Sequence, residues 1–203
     1  MHAKIFDIDG TLLQSAAVDD RIYMRAIERV LGKVRIRESL HDYDHVSDSG
    51  ILTQLLEDNG LHEQSGLYEK MKATFVAAIS EHIETNGPFV EIPGARKHFM
   101  GLAGTSDCAV AIATGGWRES ALLKLQSAGF DLQGIPLATS DDAKDRRDIM
   151  MVALEQLGSN FQSITYYGDG PWDQEATAAL GWQFVPVGAA LGGLLAYPDN
   201  EET

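Results

Sequence analysis

Asp7 and Asp9 stand two residues apart where an apolar run ends, in Ile5-Phe6-Asp7-Ile8-Asp9-Gly10-Thr11. On an extended segment that spacing turns both carboxylates to one side, and Gly10 lets the chain bend tightly past them. A carboxylate so placed can attack phosphorus to form an acyl phosphate, and a second, when protonated, can donate to the leaving oxygen. Taken alone, the pair also reads as a solvated Asp-Gly turn.

A second acidic cluster changes that balance. Tyr167-Gly168-Asp169-Gly170-Pro171-Trp172-Asp173 again follows an apolar run at its carboxyl end. Magnesium prefers a few carboxylates together with water and phosphate oxygens, so two such clusters brought together suit an octahedral Mg2+ site. The ion would offset the mutual repulsion of Asp7, Asp169 and Asp173, which otherwise raises carboxylate pKa values.

Two further segments supply groups for an anion. In Ile112-Ala113-Thr114-Gly115-Gly116-Trp117 a strand end runs into a helix start. Thr114 offers a hydroxyl, and the N–H groups at Gly115 and Gly116 can approach a phosphoryl oxygen near the positive helix end; the bland alternative is an ordinary helix cap. Lys144, in Ser140-Asp141-Asp142-Ala143-Lys144-Asp145, follows a strand end. A lysine among aspartates is otherwise a solvated surface charge.

These segments need elements to position them. Apolar, β-rich runs cover residues 3–8, 109–113, 135–139, 163–167 and 183–187, and each of the first four leads into a helix-like segment. That alternation predicts an α/β fold with a parallel sheet covered on both faces. Helical periodicity is clear over 118–128, where Ala121, Leu122 and Leu125 share a face, and over 148–157. About 100 residues separate the first two strands, whereas one βαβ crossover needs only about 30. The surplus predicts an inserted helical unit, with helices over 22–31, 51–56 and 67–83 and crossing points near 14–17 and 86–94.

The 203-residue chain is 44% hydrophobic, enough for one large domain or a core plus a modest insert. Its 30 acidic residues against 16 basic ones give a net charge of -14 with no basic block, so nucleic acid and anionic membrane are poor partners. A phosphate site must then supply its own local positive charge. The single cysteine, Cys108, excludes an internal disulfide and reads as a buried strand residue. No basic region followed by a long apolar stretch opens the sequence, so cytoplasm is the expected compartment.

In this order, the four chemical segments resemble the motifs of the haloacid dehalogenase superfamily of phosphohydrolases. Asp7, Asp9, Gly10 and Thr11 match its Asp-X-Asp-Gly-Thr motif, and Thr114 its strand-end Ser or Thr. Lys144 and Asp148 match its lysine motif, although both prolines of that motif are absent. Gly168, Asp169 and Asp173 match Gly-Asp-X-X-X-Asp. The resemblance spans the whole chain, because that family also carries its cap after the first motif. It implies a Rossmann-like parallel core at 1–14 and 88–203 with an α-helical cap at 15–87.

By the same resemblance, Asp7 is the nucleophile and a metal ligand, and Asp9 is the general acid/base, its backbone carbonyl also a ligand. Thr114, Gly115 and Lys144 hold the phosphoryl group, while Asp169 and Asp173 bind Mg2+. The substrate is a small phosphorylated metabolite, and the chain a monomer or weak homodimer. Asp9 speaks against the halide-releasing and phosphonate-cleaving branches. Substrate choice falls to the insert, whose most polar stretch, His41 to Gly50, offers His45, Asp48, Ser49 and Gly50 as candidate specificity residues. Arg21, Arg25 and Arg29 read as an exposed helical stripe. A phosphate-monoester hydrolase is the leading expectation. A phosphosugar mutase, a phospho-accepting signalling module and a silent binding protein on the same fold remain open alternatives.

Overall fold

The computed structural model describes residues 1–62, 66–158 and 160–198. The last residues of the expected core range, 199–203, lie outside that description. Strands β1 (His2–Phe6), β2 (Cys108–Ala113), β3 (Leu137–Ala138), β4 (Ser163–Gly168) and β5 (Gln183–Pro186) form one sheet in the order β3-β2-β1-β4-β5. Every pairing is parallel. The chain builds outward from β1 through β2 to β3, then returns to the other side of β1 for β4 and β5. That reversal puts the topological switch point at the carboxyl ends of β1 and β4, where open α/β sheets bind ligands.

Alternation along the strands divides the core between two faces. Ile5, Ala111 and Tyr166 pack on one side, against Ile149, Met150 and Ala153 of α6 (Arg146–Leu157) and Ala176 of α7 (Pro171–Leu180). Phe6, Ile112 and Tyr167 face the other side, toward Phe99 of α4 (Ala95–Ala103) and Leu125 of α5 (Arg118–Ser127). The Phe6 and Tyr167 rings stack with centroids 4.2 Å apart, which locks β1 and β4 in register beside the switch point.

Between β1 and β2, ahead of α4, come the three helices of the insert, α1 (Ala16–Leu31), α2 (Asp48–Asp58) and α3 (Leu67–Asn86). The three expected helices are all present and each runs beyond its apolar pattern; α2 starts after Ser47, whose hydroxyl accepts the Gly50 N–H. The outgoing and returning segments pair with each other, Gln14 N–H donating to Val90 O and Ile92 N–H to Leu12 O. Trp117, fully buried ahead of α5, joins the insert to the sheet. Its ring meets Tyr23 at 5.7 Å and Phe75 at 5.5 Å, and its Nε1 donates to the Tyr68 hydroxyl.

Several expectations are corrected. α4, on the return path to β2, is an addition to the expected helices and spans nine residues between Gly94 and Gly104. β3 is two residues long rather than five. α6 begins at Arg146, two residues earlier than its apolar pattern, because the Asp145 carboxylate accepts the Arg147 N–H as an N-cap. Cys108 opens β2 partly exposed rather than buried. No helix among the described residues is long and apolar enough to cross a membrane.

Candidate active site

Asp7 follows β1 directly, and its N–H donates to Tyr167 O of β4 at 2.9 Å, which fixes it against the neighbouring strand end. The chain then turns at Gly10, whose φ of +79° a side chain rarely adopts. A Cβ at Gly10 would lie 2.0 Å from Asp169 Oδ2, so the turn and the second acidic cluster touch only because this residue is glycine. Asp169 follows β4, and Asp173 sits in the first turn of α7, its carboxylate accepting the Gly170 N–H at 3.2 Å. One carboxylate oxygen from each of Asp7, Asp169 and Asp173 lies within 4.8 Å of the others.

Burial and crowding set the charge state of this cluster. Burial, then repulsion from Asp173, pushes Asp7 well above the usual carboxylate range, with Arg146 opposing. Burial and repulsion from Asp173 and Asp9 lift Asp169 to about 7. Burial raises Asp173 as well, against the pull of Arg146. Three hard oxygen donors that resist ionisation together fit a divalent cation such as Mg2+, which would restore all three to the ionised form.

The stability consequence has a definite sign. Without metal, the folded protein binds protons at these groups more tightly than the unfolded chain does, so its stability falls as pH rises from the ordinary carboxylate range through about 7. Mg2+ binds the ionised form. Its thermal stabilisation is therefore expected to grow with pH, reaching about 5–10 °C at saturation near pH 8 and less near pH 5. Melting curves with Mg2+ and with chelator at the two pH values check this.

The cation expected at Lys144 is supplied by Arg146 instead. Arg146 Nη1 lies 3.3 Å from Asp7 Oδ1, and its Nε lies 3.3 Å from Asp173 Oδ1. Burial disfavours the guanidinium, but Asp173, Tyr166 and Asp7 more than compensate and hold it charged. Lys144 is exposed, and its backbone carbonyl accepts the Ser47 hydroxyl. The reason is local: Lys144 precedes the Asp145 cap, so the first residue that α6 turns toward the strand ends is Arg146.

Thr114 lies where it was expected, buried just beyond β2, its hydroxyl accepting the Gly116 N–H and free to donate its own hydrogen. At Gly115 a Cβ would meet Arg146 Nη2 at 2.8 Å, so the glycine makes room for that guanidinium. Asp9 turns toward α5. Both its oxygens accept from Lys124 Nζ at 2.7 Å, and Oδ1 also accepts the Ser15 hydroxyl. Lys124 is fully buried and also meets Asp19 at 2.6 Å. Lys124 went unread, although its position between Ala121 and Leu125 put it on the apolar face of α5. A lysine there was a signal of a buried carboxylate partner.

A cavity of about 590 Å³ opens from these groups toward α1 and α2. Asp7, Asp9, Thr114, Gly115, Arg146 and Asp169 line its floor. Of the four specificity candidates, Asp48 alone borders it, one of its oxygens accepting the Trp117 N–H at 3.0 Å. Ser49 instead donates to Ser140 O, tying α2 to the β3 loop. Gly50 packs where a Cβ would meet His45 at 2.6 Å, and His45 faces Asp145 at 3.6 Å.

Buried carboxylates at the tips of two adjacent parallel strands, with a threonine beyond a third, stand where the resemblance to the haloacid dehalogenase superfamily implies. The chain matches the haloacid dehalogenase-like hydrolases over residues 1–181 and belongs to that family. Among solved structures it is similar to a hydrolase from Pseudomonas syringae, with 21% identity over 92% of this chain and 84% of that one and a TM-score of 0.71. It is also similar to beta-phosphoglucomutase from Clostridium difficile, at 19% identity over 93% and 85% with a TM-score of 0.69. CbbY from Rhodobacter sphaeroides, in complex with xylulose-(1,5)bisphosphate, gives 18% identity over 98% and 89% with a TM-score of 0.66. No curated protein matches the chain.

Proposed function

We propose that the chain is a Mg2+-dependent phosphatase that hydrolyses a small phosphate monoester through an aspartyl-phosphate on Asp7. The observation that carries this reading is the buried Asp7 carboxylate beside Asp169 and Asp173, with the Arg146 guanidinium and the Thr114 hydroxyl on the same cavity floor. Asp7, Asp169 and Asp173 would hold Mg2+, which supplies charge neutralisation for the incoming phosphoryl group.

An Asp7 oxygen attacks phosphorus as the bond from phosphorus to the leaving oxygen breaks, and Asp9 gives that oxygen its proton. Water then attacks the acyl phosphate, Asp9 takes the water proton, and the bond between phosphorus and Asp7 breaks, releasing inorganic phosphate. Thr114 and Arg146 donate to the phosphoryl oxygens throughout. Lys124 and Ser15 hold the Asp9 carboxylate toward α5, so its acid/base role requires it to swing from Lys124 toward the leaving oxygen.

Helices α1–α3, within residues 15–87, act as the cap that covers the cavity and excludes bulk water. The net charge of -14 fits a small metabolite as partner rather than nucleic acid or membrane. A phosphosugar mutase of the same family would use the same floor, and one assay separates the two. With Mg2+ and a panel of sugar, nucleotide and short-chain phosphates, inorganic phosphate is expected to accumulate without phosphate isomers. Isomers appearing in place of free phosphate would contradict hydrolysis.

A further inference from the structure

The floor of the cavity accounts for one phosphoryl group; its upper wall is lined with carboxyl groups and, among the described residues, holds no free cation. Asp19 and Asp20 of α1, Glu38 and Asp48 all border the space that the leaving alcohol must occupy. The cations near that wall are already committed. Lys124 is fully buried between Asp9 and Asp19. Arg37 borders the cavity, but its guanidinium binds both Asp58 oxygens, at 2.7 and 3.0 Å, and the Asp42 carbonyl, and lies 5.3 Å from the Tyr43 ring centre. Arg21, Arg25 and Arg29 are exposed along α1 and none borders the cavity.

The same wall is also apolar. Met24, Ile36 and Leu40 are among the most exposed large hydrophobic side chains of the described surface, and all three border this cavity. Behind them Ile27 and Ile51 continue the lining inward. Apolar side chains left uncovered around a concave site mark a surface that a ligand covers.

Resting on the phosphatase reading, we propose that the substrate is the phosphate monoester of an alcohol with an apolar body and no second anionic group, a positive charge on that body being accepted. A second phosphate or a carboxylate would lose its hydration against this wall with no free cation among the described residues lining the cavity to offset it. In this the chain differs from CbbY, whose bound sugar carries two phosphates. It also disfavours mutase chemistry, which has to hold a second phosphate away from the nucleophile.

Three esters of matched shape test this with the full-length protein and Mg2+: 4-ethylphenyl, 4-(aminomethyl)phenyl and 4-(carboxymethyl)phenyl phosphate. The methylene insulates the ring, so the leaving groups differ mainly in remote charge. The neutral and cationic esters are expected to have similar kcat/KM, and the carboxymethyl ester at least about tenfold less. Asp20→Lys is expected to narrow that gap by raising turnover of the carboxymethyl ester. Turnover of the carboxymethyl ester equal to or above that of the ethyl ester would overturn the proposal, as would a gap that Asp20→Lys leaves unchanged. Phosphate from none of the three but from the sugar, nucleotide and short-chain panel would overturn this proposal alone, whereas phosphate from neither set would remove the phosphatase reading and this inference with it.

Discussion

Asp7→Asn is expected to lower Mg2+-dependent phosphate release by at least about four orders of magnitude while the protein still folds. The amide keeps the shape of the carboxylate but has no charge to attack phosphorus, and no neighbouring acid stands in its place: Asp169 and Asp173 follow a different strand, and Asp9 is engaged by Lys124 and Ser15. The fold should not suffer. Burial and repulsion from Asp173 push the Asp7 carboxyl up, so at neutral pH the ionised form is a cost to the metal-free protein that asparagine removes. The melting temperature without metal is expected to stay level or rise. Phosphate-release assays and circular-dichroism melts on the same preparation check both halves, and retained turnover would contradict the nucleophile assignment.

Arg146→Ala is expected to reduce kcat/KM on the order of 10²–10³-fold, whereas Lys144→Ala changes it by less than about twofold. The guanidinium spans Asp7 and Asp173 from inside the site, and the lysine two residues earlier is exposed at the turn. Arg146→Lys should recover part of the loss, because an ammonium restores the charge but not the planar fork that meets two acceptors at once. Steady-state kinetics of the three variants decide the matter. An equal loss from Lys144→Ala would move the phosphate-binding cation back to the motif lysine.

What was legible in the sequence was whatever had a strong local signature. Asp7 and Asp169 are each announced by an apolar strand, a glycine that permits a tight turn and a second acid at fixed spacing, so the strand tips could be read without knowing the sheet order. The insert was legible too, since a hundred residues cannot be one crossover. Lys124 and Arg146 were not. Each depends on which face of a helix meets the strand ends, and that is fixed by packing: Lys124 by the burial of Ala121 and Leu125 beside it, Arg146 by where the Asp145 cap starts α6. The polar stretch from His41 to Gly50 likewise had composition but no periodicity. Folding gave its members separate duties, Asp48 bordering the cavity while Ser49 and Gly50 hold α2 against the rest of the chain.

Lys124 also shows why charge counts along a sequence say little about a site. Within a chain of net charge -14, burial alone would disfavour the ammonium, yet Asp19 and Asp9 outweigh it and push Lys124 above the usual lysine range. The buried cation is thus spent on Asp9 and Asp19, and on the proposed function the phosphate is left to Arg146, Thr114 and the metal.

Diffraction from crystals soaked with Mn2+ as an anomalous substitute for Mg2+ bears most directly on the convergence of these carboxylates. One peak is expected between Asp7, Asp169 and Asp173, with carboxylate oxygens from Asp7 and Asp169 about 2.0–2.2 Å from the ion, near magnesium's own range. No peak there at saturating metal, with Arg146 still lodged against Asp7 and Asp173, would contradict the site.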